Sequence, residues 1–259
     1  SQAVEPRGLV PLRPAWWIAN TVQPAAAWIR SAAAIARPCS VALFSADGRL
    51  IAQASHIPLH LGSLMGSVNA VLAAYPIGRM VEGDVFICND PYAAGGTHTP
   101  DISVVTPVYA GGRLRYFTAN IGHHSDVGGT VPGSIHGGAK SIFEEGLRLP
   151  VMKLFRAGEL DEDLLRMISL NSRSSEERWL DIKVQAAANE RGARLMRELA
   201  DTLGADKVDA LVEDLFAYTA QRLRNRIAEM QDGTATFHSK IESDGLGPVE
   251  VPIQANVTV

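Results

Sequence analysis

Histidine and carboxylate side chains gather in one glycine-rich part of this sequence. His98 and Asp101 are separated by two residues in a loop stiffened by Pro100, and the adjacent residues His123 and His124 follow further along. Imidazole nitrogens and carboxylate oxygens are ligands for borderline divalent cations, and this spacing allows both to bind one ion. One further histidine gives a ligand set of two imidazoles and one carboxylate, which leaves coordination positions on the ion for water or substrate. Since sulfur is absent from this set, the pattern predicts a catalytic Zn²⁺, Mn²⁺ or Fe²⁺ site.

The same residues also allow a simpler interpretation. A histidine and an aspartate at this spacing are common, and clustered histidines often only hydrogen-bond to loop backbone. Asp90 stands between Asn89 and Pro91, an arrangement that initiates turns, so its side chain could serve backbone amides alone. Asp126 could orient a ligand histidine, or could be an exposed turn residue before Gly128-Gly129. Spacing alone therefore leaves both a metal site and a hydrogen-bonded loop open.

Two predicted strands bring the histidines to the aspartate. Residues 102–109 and 114–121 have the composition of strands, and they flank Gly111-Gly112, a typical hairpin turn. In an antiparallel hairpin, the loop that ends at Asp101 and the loop that begins at Gly122 lie at the same end. We therefore expect the two loops to form one site.

The remaining elements indicate the fold class. Asp47-Gly48 predicts a hairpin, and Pro76 and Gly78 end a predicted short helix. The other predicted strands are 40–44, 49–53 and 84–88, with further strands around 234–259, and the predicted helices are 62–75, 161–170, 176–203 and 205–231. This order predicts an α+β fold, mixed but with mainly antiparallel strands and a helical segment, as the N-terminal part of a larger subunit.

Three regions differ in composition. Residues 1–39 form an atypical N-terminal segment, rich in arginine and proline and poor in acids, and 40–160 form a metal-site region rich in glycine and histidine. Residues 161–259 form a helical segment that leads into a truncated sheet. The alternation of apolar and polar residues from Val249 to Val259 predicts a half-buried strand. Because the sequence stops in that strand, we expect a longer polypeptide.

Composition excludes several classes of protein. The 259 residues are 46% hydrophobic with a net charge of -4, which offers no basic field for nucleic acid. No apolar run is long enough for a transmembrane helix, so no membrane partner is expected. The cysteines, Cys39 and Cys88, form no disulfide framework, which favours the cytoplasm, and Cys88 is predicted to be a core residue. The helical segment is expected to support oligomer contacts.

Several motifs occur in the order typical of one family. They are His56–Ser63, Gly83-Asp84-Val85, Asn89–Asp101, Gly122–Gly129, Pro132-Gly133-Ser134, Glu144-Glu145-Gly146 and Ala186-Ala187. Together they resemble the hydantoinase B/oxoprolinase family, which also includes relatives of the acetone carboxylase alpha-type subunits. The resemblance covers residues 40–259, and a chance match of several motifs in sequence order is improbable.

The resemblance implies a function. Members of this family form the metal-bearing subunit of ATP-dependent hydrolases that cleave C–N bonds in cyclic amides such as hydantoins and oxoproline. They act with a hydantoinase A-like ATPase partner, in which ATP and Mg²⁺ are expected. Related complexes carboxylate ketones, so a subunit of a ketone carboxylase is an alternative. A second alternative is that the chain is an inactive structural or assembly remnant, since Pro38-Cys39 stands where relatives usually carry an acidic residue.

The resemblance also assigns residues. It implies that His98, Asp101 and His123 bind a divalent metal, with His123 preferred to its neighbour. His124 and Asp126 are then the candidate catalytic groups, acting in proton transfer or in the orientation of the ligands. His56 and His60, in the first motif, are expected either to face the same pocket or to make structural hydrogen bonds.

Overall fold

The computed structural model describes residues 39–54, 57–243, 247 and 250–259. Among these, two compact units are present, with residues to Leu211 in the larger unit and residues from Val212 onward in the smaller one. The atypical N-terminal segment lies outside the described residues except for Cys39. Over the described ranges, no helix combines the length and the apolar character needed to cross a membrane.

The described residues form nine strands and four long helices. The strands are β1 (Cys39–Ser45), β2 (Leu50–Gln53), β3 (Val85–Cys88), β4 (Asp101–Ala110), β5 (Arg113–His123), β6 (Met152–Arg156), β7 (Glu159–Leu160), β8 (Thr234–Ile241) and β9 (Val251–Thr258). The helices are α1 (Pro58–Ala74), α2 (Glu162–Leu170), α3 (Ser175–Leu203) and α4 (Ala205–Ala228). Each predicted element has a counterpart with slightly different bounds, whereas β6 and β7 were not predicted.

The larger unit is built on one seven-stranded sheet. Its strand order is β2-β1-β5-β4-β3-β6-β7, and every pairing is antiparallel. The predicted hairpins β1–β2 and β4–β5 are both present, and Gly48 has the positive φ of +82° that the first turn requires. The predicted α+β class with mainly antiparallel strands is confirmed.

The sheet is buried on both faces by helices. Successive residues of a strand point to opposite faces, so Phe86 and Ile87 belong to different cores. On one face, α1 packs against the sheet through Leu64 and Val68. On the other face, α2 and α3 pack against it, with Ile182 of α3 fully buried. These two layers hold β4 and β5 rigidly, and the candidate site lies at one end of both strands.

A buried amide network fixes α3 on the sheet. Asn120 of β5 donates from Nδ2 to Oδ1 of Asn189 at 2.8 Å. Gln185 donates from Nε2 to the carbonyl oxygen of Ile102 and to Oδ1 of Asn120, both at 2.9 Å. Asn189 donates in turn to the carbonyl oxygen of Val104 at 2.9 Å. Because these side chains are almost completely buried, each hydrogen bond prevents the cost of an unsatisfied polar group and sets the position of α3.

The smaller unit contains an exposed β-ribbon. Strands β8 and β9 pair antiparallel, with Thr234 opposite Thr258 and Ile241 opposite Val251. The prediction of a strand near the C-terminus is confirmed, but the prediction that it is half-buried is wrong, because every residue of both strands is exposed. The alternating pattern correctly indicated two chemically different faces, and pattern alone does not reveal whether another layer covers the apolar one.

Candidate metal centre

Three of the predicted side chains meet at the end of the central hairpin. His98, Asp101 and His123 each provide one potential ligand atom, and these atoms all lie within 4.8 Å of one another. Asp101 begins β4 and His123 ends β5, and the two residues pair directly across the strands. The rings of His98 and His123 have centroids 4.9 Å apart and are inclined by 50°. The arrangement can hold one small cation between two imidazoles and a carboxylate.

The adjacent histidines point to opposite faces of the sheet. Side chains alternate along a strand, so His123 lies on the face of Ile121, which packs with α1. His124 lies on the face of Asn120, where its Nε2 is 2.9 Å from Oε1 of Gln185 in α3. The structure therefore brings His123, and not His124, to His98 and Asp101.

The carboxylate of Asp101 is buried, and its two oxygens have different surroundings. Oδ2 accepts a hydrogen bond from the hydroxyl of Thr97 and lies 3.6 Å from Nε2 of His60. Oδ1 lies 3.1 Å from Nε2 of His98, yet it has no hydrogen bond of acceptable direction among the described residues. Two ligands of one ion point at the ion rather than at each other, so this off-direction contact is compatible with a metal site.

The close contact also changes the acidity of both groups. The polar contact with Asp101 raises the pKa of His98 above its ordinary value and outweighs the effect of burial. Burial raises the pKa of Asp101, but the contacts with His98 and Thr97 have the larger combined effect, so its pKa is lowered. Asp101 is therefore held as a carboxylate, the form that binds cations.

The loop before Asp101 is fastened at several points. Asn89 donates from Nδ2 to the carbonyl oxygens of Thr99 and Leu147, at 2.6 and 2.9 Å. Asp90 accepts hydrogen bonds from the amides of Tyr92 and Ala93, as the turn interpretation of this residue expects. Asn89 and Asp90 thus shape the loop through backbone contacts.

A close backbone approach joins this loop to α1. A Cβ atom on Gly66 would lie 2.6 Å from Cα of Gly95, and one on Gly95 would lie 2.4 Å from Cα of Gly66. Because these neighbours are backbone atoms, neither position can accept a side chain without displacement of the main chain. The contact sets the distance between α1 and the loop that carries His98.

Asp126 organises the loop after β5. Its Oδ1 accepts hydrogen bonds from the amides of Gly128 and Arg173, at 2.9 and 3.0 Å. Its Oδ2 accepts from the amide of Gly133 and from Nη1 of Arg173, at 3.0 and 2.9 Å. Burial raises the pKa of Asp126, but these donors together lower it to about 2. The residue is 4% exposed, so the interpretation as an exposed turn residue is wrong.

His124 is enclosed between the sheet and α3. Its backbone amide donates to the carbonyl oxygen of Pro100 at 2.9 Å, which joins the two loops of the site. Burial, with the nearby charge of Arg178, lowers the pKa of His124 to about 3. The neutral ring is expected to carry its proton on Nε2, since Oε1 of Gln185 can only accept.

The remaining expectations concern residues outside the triad. Cys88 is fully buried, and burial raises the pKa of its thiol to about 12, so its prediction as a core residue is confirmed. His56 lies outside the described residues. Sequence reasoning did not single out Thr97, although it adjoins His98, and it left open whether His60 has a role here. Arg173 carried no signal at all, because its contact with Asp126 joins distant parts of the chain.

Comparisons with known proteins agree with this architecture. The family model of hydantoinase B/oxoprolinase matches residues 34–259. The chain is 42% identical over 171 residues to the 5-oxoprolinase of Dictyostelium discoideum, covering 66% of this chain and 13% of that protein. It is 34% identical over 225 residues to caprolactamase subunit beta of Pseudomonas jessenii, covering 87% of this chain and 38% of that subunit. The chain thus spans well under half the length of these relatives.

Two solved structures share the fold. The ATP-dependent caprolactamase from Pseudomonas jessenii superimposes with a TM-score of 0.83 at 30% identity, covering 94% of this chain and 44% of that chain. A nucleotide-free acetone carboxylase superimposes with a TM-score of 0.75 at 20% identity, covering 92% of this chain and 33% of that chain. At this lower identity, the second similarity concerns the fold alone.

Proposed function

This chain belongs to the hydantoinase B/oxoprolinase family, and on that premise we propose that it forms the metal-bearing part of an ATP-dependent hydrolase of cyclic amides. The names of its relatives support this reaction class, since they include a 5-oxoprolinase and a caprolactamase subunit. Because the chain covers only part of those proteins, the proposal concerns a larger assembly. That assembly includes a hydantoinase A-like ATPase partner with its ATP and Mg²⁺.

The observation that carries the proposal is the convergence of three ligand groups on one point. His98 comes from the loop before β4, and Asp101 and His123 come from the adjoining ends of β4 and β5. Oδ1 of Asp101 is buried without a hydrogen bond among the described residues. Two imidazoles and one carboxylate suit Zn²⁺, Mn²⁺ or Fe²⁺ and leave coordination positions for water or substrate. A divalent ion bound there supplies Lewis acidity toward an amide carbonyl or a water molecule.

The surrounding residues are proposed to prepare this site. Thr97 holds the Asp101 carboxylate, and His124 joins the two loops through its amide contact with Pro100. Asp126 keeps the second loop in shape through its four hydrogen bonds. The proposed contribution of His124 and Asp126 to catalysis is therefore to orient the metal ligands, since their described contacts leave little freedom for direct proton transfer.

The cyclic amide is favoured over the alternative substrates. A ketone carboxylase would use the same ligands, but among the superimposed structures the caprolactamase is 30% identical to this chain, against 20% for the acetone carboxylase. An inactive remnant would have no reason to retain three converging ligands.

Metal analysis tests the proposal directly. Wild-type protein purified without chelators is expected to contain near-stoichiometric Zn, Mn or Fe, measured by elemental mass spectrometry. The variants His98→Ala and Asp101→Ala are expected to lose the metal while they keep the circular dichroism spectrum of the wild type. His136→Ala is the matched control, because this histidine lies outside the triad and contacts Thr130 and Glu144 instead. Folded wild-type protein that binds none of these ions at micromolar concentration would refute the metal function.

A further inference from the structure

His60 lies close to the candidate metal centre, beside the Asp101 oxygen that does not face His98. It lies in the first turn of α1, its side chain is 4% exposed, and its Nε2 is 3.6 Å from Oδ2 of Asp101. On the other side of the ring, Nδ1 is 3.0 Å from the hydroxyl of Ser40 in β1. A chain of three buried polar groups therefore runs from β1 through α1 to Asp101.

The two ring contacts are compatible with only one neutral form of His60. A carboxylate oxygen can only accept a hydrogen bond, so the ring nitrogen that faces Asp101 must carry the proton. Nδ1 is then an acceptor, and the Ser40 hydroxyl donates to it. Asp101 thus selects the tautomer, and the Ser40 hydroxyl supports it by donating to Nδ1. At 3.6 Å the ring and the carboxylate are slightly beyond hydrogen-bond distance, and contacts of this kind in a site without its ligand often shorten when the ligand binds.

We propose that His60, supported by Ser40, is a positioning residue that holds Oδ2 of Asp101 and thereby directs Oδ1 to the metal. This inference rests on the proposed metal function and adds two residues to it. Thr97 and His60 both contact Oδ2, whereas Oδ1 is directed toward His98. Oδ1 is therefore the oxygen that binds the ion. Partners that orient a metal ligand in this way typically change metal affinity about 10- to 100-fold.

A purely structural role is the competing explanation. A buried histidine that only links β1 to α1 would affect the free energy of unfolding, and its loss would leave metal affinity unchanged in the folded fraction. A positioning role requires an N–H group that faces Asp101. The positioning role therefore predicts that loss of His60 weakens metal binding and that a replacement with an N–H donor restores part of it. The structural role predicts neither effect.

Two substitutions of similar size separate these explanations. His60→Leu removes both polar contacts, whereas His60→Gln keeps an N–H donor at the end of the side chain. Dissociation constants for Zn²⁺ and Co²⁺ are measured by competition with a chromophoric chelator, with circular dichroism as the check on folding. We expect His60→Leu to weaken binding about 10- to 100-fold and His60→Gln to recover part of that loss. The visible Co²⁺ spectrum is expected to change in His60→Leu, because Oδ1 is then less well oriented.

Serine substitutions provide a second comparison that is gentler on folding. Ser40→Ala removes the hydroxyl that donates to Nδ1 of His60 and holds the ring in place, and we expect metal binding several-fold weaker than in the wild type. Ser63→Ala is the matched control, because this buried serine of α1 donates to the carbonyl oxygen of Leu59 and not to the site. Its metal affinity is expected to equal that of the wild type.

Each result decides the proposal. Weaker binding in folded His60→Leu and in Ser40→Ala, with partial recovery in His60→Gln, supports it. The proposal is overturned if folded Ser40→Ala and His60→Gln keep the wild-type metal affinity and Co²⁺ spectrum, and if the folded fraction of His60→Leu also keeps the wild-type affinity. That result would leave the metal function intact. Absence of metal binding in the wild type overturns both.

Discussion

Asp126 shows how one carboxylate can organise a loop that reaches the candidate site. All four of its hydrogen bonds come from Gly128, Gly133 and Arg173, so both oxygens are engaged. Arg173 also donates to the carbonyl oxygens of Gly129 and Val131. A change at Asp126 would leave a partly buried guanidinium and three amides without their acceptor. We therefore expect the effect of such a change to appear in stability as well as in activity.

Asp126→Asn is expected to lower stability by about 2 kcal/mol near neutral pH, because the buried carboxylate loses its charge and with it the partly exposed ion pair with Arg173 and the strength of its hydrogen bonds. The sign of the pH dependence follows from the lowered pKa. An unfolded aspartate titrates near pH 3.9, whereas Asp126 in the fold has a pKa of about 2. The stabilising contribution of the Asp126 carboxylate is therefore complete above the pKa of the unfolded chain and is lost as the pH falls toward about 2. The difference between wild type and variant should therefore narrow under acid conditions.

Urea unfolding from about pH 6 to about pH 3 measures this difference. Asp201→Asn serves as the control, because Asp201 is exposed near the end of α3. A gap between wild type and Asp126→Asn that stays constant over the whole range would show that the carboxylate charge is not the stabilising element.

At the level of elements, the orientation of α3 depends on amides rather than on apolar packing alone. Gln185 contacts Ile102, Asn120 and His124, so it joins both central strands and one residue of the second loop. Gln185→Ala is expected to cost about 3 kcal/mol of unfolding free energy, since it leaves buried polar groups unsatisfied. The urea midpoint measures this loss.

The same helix supplies a control for this prediction. Lys183 lies on the exposed side of α3, above the ring of Trp179. Lys183→Ala is expected to change the unfolding free energy by less than about 1 kcal/mol. Equal effects of the two substitutions would contradict a special role for the amide network.

The elements also show how far sequence reasoning could reach. The hairpin β4–β5 was predictable because its strands are rich in β-branched and aromatic residues and its turn is Gly111-Gly112, and that hairpin was enough to place His98 and Asp101 near the later histidines. The choice of His123 over His124 came from the family resemblance and not from the hairpin, because a register shift between Val108 and Tyr109 places Asp101 opposite His123 rather than opposite Gly122. Strand order was not accessible, because β1 pairs with the distant strand β5. The contacts of His60 and Arg173 also join residues far apart in sequence.

For the whole molecule, the division into two units leads to a prediction about truncation. The larger unit contains the complete triad and every contact described for it. A chain that ends at Leu211 is expected to keep native circular dichroism and the metal affinity of the 259-residue chain, with a melting temperature lower by less than about 5 °C. Calorimetry and metal titration of the two chains test this.

Asp209 offers an internal comparison for that experiment. It lies within the larger unit, where it contacts Tyr116 and the buried guanidinium of Arg115. Asp209→Ala in the longer chain is expected to lower the melting temperature more than the truncation does, because a buried charge loses a partner. The opposite order would mean that residues after Leu211 contribute substantially to the stability of the larger unit.

The contact between Gly66 and Gly95 would affect the kinetics of ion capture at the proposed metal centre. Main-chain atoms are in contact there without room for a methyl group, so the loop that carries His98 can move little relative to α1. The conformational entropy of assembling the ligands is then lost when the chain folds, and little remains to be lost when an ion arrives. Ion capture by such a preformed site is governed by how fast the cation sheds its water rather than by loop closure. Cations that exchange water quickly would therefore enter first, even where a slower cation binds more tightly at equilibrium.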